Sequence, residues 1–175
     1  MDPEYGTLDR VLNHAKCDEI LETLRHMSKR LLPEPGYTGE NHRRIVPEVG
    51  VWCLLEGLIE VEAHGQDSYG TWYRLLVSTK KGQDVVWDLL HIIKEEGLMV
   101  NVTLAYKDNM TAIGDSWHME GYAPTAMKVY GVSREKTSVM VQHPDTLELY
   151  HADLLNIRFA KQTTLEVKNG AKAEG

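Results

Sequence analysis

Val51-Trp52-Cys53-Leu54-Leu55-Glu56-Gly57-Leu58-Ile59-Glu60-Val61-Glu62 changes its periodicity at one residue. Up to Glu56 the apolar side chains crowd together as they do on a short helix, and Pro47 suits the first turn of that helix, whose start needs no N–H. Gly57 is the residue type that ends helices in the left-handed conformation. Beyond it, Leu58-Ile59-Glu60-Val61-Glu62 alternates with period two, as a half-buried strand does. Next comes the polar, glycine-bearing loop Ala63-His64-Gly65-Gln66-Asp67-Ser68-Tyr69-Gly70, and then a second strand-like run, Thr71 to Val77. Two such runs around such a loop predict a long hairpin.

The neighbouring segments fit a helix-rich half. Ser78 or Thr79 is placed to cap a helix over 80–96, whose Val85, Val86, Leu89, Leu90, Ile92 and Ile93 form one stripe, with Gly97 as its stop. Upstream, Leu8, Val11, Leu12, Ala15, Ile20, Leu21, Leu24, Met27 and Leu31 recur at three- and four-residue steps. They predict a helical stretch over 8–32, with a break near 16–18 where Asp18 offers a second cap. The connection 34–44 is polar and holds the basic cluster His42-Arg43-Arg44.

Beyond Gly97 the pattern becomes short and alternating. Strands are expected over 100–106, 110–114, 127–132, 137–142, 147–150 and 156–160, with a turn at His143-Pro144-Asp145-Thr146. Short strands with tight turns suggest a small barrel or curled sheet. The fold class expected is therefore α+β. The expected domains are a helix-rich one over 1–98, a small β domain over 99–165 and a flexible tail over 166–175, in which Lys168 to Gly175 reads as frayed.

The 175 residues carry 19 Lys+Arg and 26 Asp+Glu, a formal charge of −7, with 42% hydrophobic and 26% charged residues. These values are those of a globular chain and exclude a disordered, collagen-like or disulfide-scaffold protein. They also oppose a surface that is basic throughout. Residues 1–98 hold 11 basic and 17 acidic side chains, a net of 11 − 17 = −6, and residues 99–175 hold 8 and 9, a net of −1. Cys17 and Cys53 read as free thiols in a reducing compartment. No apolar run approaches the roughly 20 residues of a membrane span, and the acidic start Met1-Asp2-Pro3-Glu4-Tyr5 does not read as a signal peptide. A cytoplasmic location is expected.

Residues 9–96, and 51–90 above all, resemble bacterial winged helix-turn-helix regulators. The resemblance rests on Leu54-Leu55-Glu56-Gly57-Leu58-Ile59-Glu60 as the end of a recognition helix, on a hairpin of wing length, and on Tyr73-Arg74-Leu75-Leu76-Val77-Ser78-Thr79-Lys80-Lys81-Gly82 leading into the helix behind the wing. It departs at 32–44, where Pro33, Pro35 and Gly36 stand in place of a second helix. The resemblance implies a DNA-binding transcriptional regulator with a C-terminal effector or oligomerisation β domain, acting as a homodimer, with the 8–32 stretch as its candidate dimer helix. Its contacts would be His42, Arg43, Arg44 and Glu48 at the start of the recognition helix, His64, Gln66 and Tyr69 on the wing, and Lys80 and Lys81 behind it. The −6 of this half, and a wing tip without Lys or Arg, keep a second reading open, an acidic protein-binding module such as a phage or plasmid accessory or inhibitor protein. The C-terminal half resembles, more loosely, an Sm-like or SH3-like barrel, through the strand–Lys107-Asp108-Asn109–strand opening and the run Leu149 to Ile157. That implies RNA or peptide binding, with Trp117 and Tyr122 as a second binding surface.

Signs of catalysis are few. His143-Pro144-Asp145 and His151-Ala152-Asp153 repeat a His-x-Asp pattern whose groups are competent metal ligands, but turn chemistry explains the first and a turn or cap explains Asp153. Asn101-Val102-Thr103 is similar to the His-x-Thr strand of two-histidine phosphodiesterases, with Asn in place of the acid/base, and His26-Met27-Ser28 falls on a predicted helix. Trp52 and Trp87 sit in core-facing helical runs. The expectation is no enzyme, no cofactor and no metal.

Overall fold

The computed structural model describes residues 6–28, 47–66, 72–103, 124–133, 138–152 and 154–174. The chain divides into two units, residues 14–86 and residues 1–13 together with 87–175. Helices and antiparallel sheets make it an α+β protein. The division falls inside a helix, and the first thirteen residues join the C-terminal unit, where the sequence pattern put a boundary at 98.

In the unit 14–86, helix α2 (Cys17–Ser28) buries Ile20, Leu21 and Leu24 on one face. The buried guanidinium of Arg25 donates from Nε to Glu22 Oε2 at 3.1 Å, which offsets the cost of placing a charge away from water. Helix α3 (Pro47–Leu55) buries Val49, Gly50 and Cys53. It ends as the sequence predicts. Gly57 takes φ 74°, its N–H donates to Leu54 O, and Leu58 N–H donates to Cys53 O, the paired bonds that satisfy the last carbonyls of a helix. Strands β1 (Ile59–Gln66) and β2 (Trp72–Ser78) then form the expected hairpin, with Ile59 opposite Ser78, Gln66 opposite Trp72 and a bulge at Glu62.

Helix α4 (Lys80–Glu95) starts where the hairpin closes. Thr79 is its N-cap. Its Oγ1 accepts from Gly82 N–H at 3.1 Å and donates to Gly57 O at 2.6 Å, while Thr79 N–H donates to Leu58 O at 3.0 Å. Gly82 stands so close to Leu58 that a Cβ there would lie 2.1 Å from the Leu58 carbonyl oxygen. At its other end, α4 closes with Gly97 (φ 66°) and Leu98 N–H on Ile93 O.

The second unit begins with helix α1 (Gly6–Leu12), which buries Leu8, Val11 and Leu12. Of the helical stretch expected over 8–32, the described residues form two helices that lie in different units. The break falls at 13–16, slightly before the expected place, for a local reason. Asn13 Nδ2 donates to Asp9 O at 2.8 Å, and His14 Nδ1 accepts the Lys16 N–H at 2.9 Å. Side chains there take backbone partners that a continuing helix would need.

Five strands make the sheet of this unit: β3 (Met99–Val102), β4 (Thr125–Ser133), β5 (Ser138–Gln142), β6 (Leu149–Ala152) and β7 (Ile157–Arg158). All pairs are antiparallel, in the order β6-β5-β4-β3-β7. Among the described residues no β6–β7 pairing closes it into the barrel anticipated from the pattern, and the expected strands over 104–106 and 110–114 lie outside them. Val100, Val102, Met127, Val129, Val139, Val141, Ala152 and Ile157 point to the buried face. Between β5 and β6 the turn is built from side-chain bonds. His143 Nδ1 accepts from the N–H groups of Asp145 and Thr146, Gln142 Nε2 donates to Leu147 O, and Leu147 holds φ 61°.

After a 3-10 turn at Leu154–Asn156 and strand β7, helix α5 (Lys161–Glu174) ends the fold. It replaces the flexible tail expected over 166–175. Thr163, Thr164 and Val167 are buried along one side of it, and Thr163 Oγ1 donates to Met99 O at 2.8 Å. These contacts order a segment whose Asn169-Gly170 composition alone suggests fraying.

Two glycine substitutions should move stability in opposite directions in urea unfolding. Gly82→Ala should cost about 1–3 kcal/mol through the clash with Leu58 O. Gly170→Ala, with nothing within 4 Å of a new Cβ, should be neutral or stabilising by up to about 1 kcal/mol.

Candidate interaction surface

Of the residues expected to meet DNA, His42, Arg43, Arg44 and Tyr69 lie outside the described residues, as do Trp117 and Tyr122 of the second surface. Glu48 is exposed in the first turn of α3, and Lys16 Nζ lies 3.8 Å from its carboxylate. His64 and Gln66 occupy β1 opposite Arg74 and Trp72. Lys80 and Lys81 are exposed at the start of α4, but Lys81 Nζ donates to Glu56 O at 2.9 Å. Its charge therefore sits at the C-terminus of α3, where a helix dipole favours a cation.

What α3 does present is apolar. Val51, Leu54 and Leu55 are 56%, 39% and 83% exposed, on the side away from Val49, Gly50 and Cys53. With Pro47 and Glu48 they form the outward face of the helix. Sequence reasoning assigned the apolar residues of α3 to packing. The missed signal is the breadth of the apolar arc, since a helix that is hydrophobic all round calls for cover all round. One flank of α3 is held by stacking, with the His14 and Trp52 rings edge to face and their centroids 4.7 Å apart. Trp87, by contrast, is buried as expected.

Other candidate chemistry is accounted for locally. His143 uses Nδ1 to accept the turn N–H groups described above, and no group of three or more His, Cys, Asp or Glu able to hold a metal occurs among the described residues. Neither Cys17 nor Cys53 is in a disulfide. Burial, and then the nearby Glu56 carboxylate, push the Cys53 thiol up to about 11, so it stays protonated and a poor nucleophile near neutral pH. The apolar positions Leu8, Val11, Leu12, Ile20, Leu21 and Leu24 of the stretch offered to a second copy are buried within this chain. Among the described residues no helix is long and apolar enough to cross a membrane.

Compared with protein-family models, with curated proteins and with solved structures, the chain gives no match.

The raised Cys53 value has a pH consequence. An acid whose folded pKa lies above its unfolded value of 9.0 binds its proton more tightly when folded. Its contribution to stability is intact below about pH 9 and falls as pH rises toward 11. Urea unfolding between pH 7 and 10 should show this extra loss in the native chain, and Cys53→Ala should show a shallower decline.

Proposed function

We propose that the chain is a protein-binding module that docks a partner protein on the outward face of α3, with a winged-helix-like order of helix, hairpin and helix as the scaffold. The observation that carries this reading is the exposed trio Val51, Leu54 and Leu55. Reading a DNA groove takes hydrogen-bond donors and cations that reach base edges and phosphates. The outward side of α3 offers aliphatic side chains and the Glu48 carboxylate instead. An apolar patch depleted of charge within a polar rim is the general make-up of a protein interface. The net charge of −7 favours the same choice over a DNA-binding regulator. Cys17 and Cys53, neither of them in a disulfide, fit a reducing, cytoplasmic setting.

Affinity capture with the whole chain, compared with the Leu54→Gln/Leu55→Gln double variant, tests the proposal. Both side chains are exposed, so the variant should unfold within about 0.5 kcal/mol of the native chain. A stoichiometric protein held by the native chain and lost, by tenfold or more, from the variant is the expected result. Retention of DNA fragments with no protein partner, or capture that the variant leaves unchanged, would overturn it.

A further inference from the structure

The side of the five-stranded sheet opposite its buried valines carries a distinct set of polar side chains. Its outward positions follow from the register. Asn101 pairs with both Ala126 and Arg158, Met99 with Lys128, Lys128 with Gln142, Met140 with His151, and Gln142 with Leu149. Among the described residues this face holds no carboxylate, although the chain as a whole carries −7. It holds the cations Lys128 and Arg158, both exposed, together with exposed His151. Neither cation makes a hydrogen bond or ion pair among the described residues. Lys16 and Lys81 are, in contrast, engaged with Glu48 and with the end of α3.

Tyr130 follows Lys128 onto this face by the ordinary alternation of a strand, at the point where β4 bulges. Val129 pairs with Val141 and Gly131 with Met140, so Tyr130 is the extra residue of β4. Its ring is 53% exposed beside a glycine. Tyr130, Lys128, Asn101 and Arg158 thus run diagonally over three strands, β4, β3 and β7. Neighbouring strands lie about 4.8 Å apart, so the two cations are separated by roughly 10 Å across the sheet.

We propose that this outer sheet face binds single-stranded nucleic acid, with Tyr130 stacking on a base, Asn101 facing a base edge, and Lys128 and Arg158 meeting phosphates. Charge complementarity selects a polyanion. The exposed ring and the amide select bases over an acidic peptide, because a base has a π-face for stacking and polar edges for hydrogen bonding. A paired base hides that face inside the duplex, so the single strand is the ligand. The surface lies on a different element from α3 and does not depend on the docking reading above.

The test is fluorescence anisotropy of the whole chain with a labelled oligouridine 12-mer, the same length of duplex, and a poly-glutamate peptide, at low and moderate salt. The 12-mer should bind at low salt and more tightly than the duplex or the peptide. Tyr130→Ala should weaken it by about 5- to 100-fold, from the usual range of a lost base stack, while Tyr130→Phe keeps it. Lys128→Gln and Arg158→Gln should each lower the salt dependence by a little under one unit of slope. Leu54→Gln/Leu55→Gln should leave it unchanged. Absence of binding at low salt, equal binding by Tyr130→Ala, or a peptide bound as tightly as the 12-mer would overturn the proposal.

Discussion

The unit 14–86 depends on how closely α4 approaches the chain at Leu58. Within a few residues, α3 ends, β1 begins, β2 ends and α4 begins, and each leaves backbone groups that need partners. Thr79 supplies several of them at once. Its hydroxyl links Gly57 O to Gly82 N–H, and its own N–H goes to Leu58 O. Lys81 closes the remaining gap at Glu56 O. All of this needs residue 82 to lack a side chain, because the Leu58 oxygen occupies the space that a Cβ would take. Fixing this junction also fixes the direction in which α3 leaves it. The exposed trio on that helix is therefore presented from a firmly held base.

Charge is distributed in a way that net counts obscure. Among the described residues of the unit 14–86, three cations serve the fold. Arg25 is buried against Glu22, Lys16 lies by Glu48, and Lys81 caps α3. On the outer sheet face of the other unit, Lys128 and Arg158 make no such contact among the described residues. Local availability of charge, more than its total, decides which surface suits a polyanion.

Much of the architecture is legible in the chain because it is written in short-range signals. Gly57 and Gly97 stop helices by taking positive φ, Thr79 caps, and the period change at Gly57 marks helix and strand. Where reading fails, a side chain some residues away decides. The helix break moves to 13–16 because Asn13 and His14 bond to nearby backbone. The tail becomes α5 because Thr163 reaches Met99 and Val167 is buried. The surfaces are harder still. An apolar run such as Val51 to Leu55 does not say which third of the helix its own fold will cover. In β4, the bulge at Tyr130 shifts the alternation so that Val132 lines up with Val139, on the buried side of the sheet. Simple counting from Met127 would have sent that valine outward. Of the proposed nucleic-acid face, only residue types were visible, and their common side emerges from strand register.

The turn from His143 to Glu148 reaches beyond its own six residues. Leucine at φ 61° is an uncommon conformation for a side chain with a Cβ. It is held by Leu147 N–H on His143 O and by Gln142 Nε2 on Leu147 O. These bonds set how many residues separate β5 from β6. Because strand side chains alternate, adding or losing one residue there would exchange the two sides of β6. Ala152 would leave the interior, and Leu149 and His151 would enter it. The loop thus works as a ruler for the sheet edge, so insertions and deletions in it should be far less tolerated than its exposure suggests.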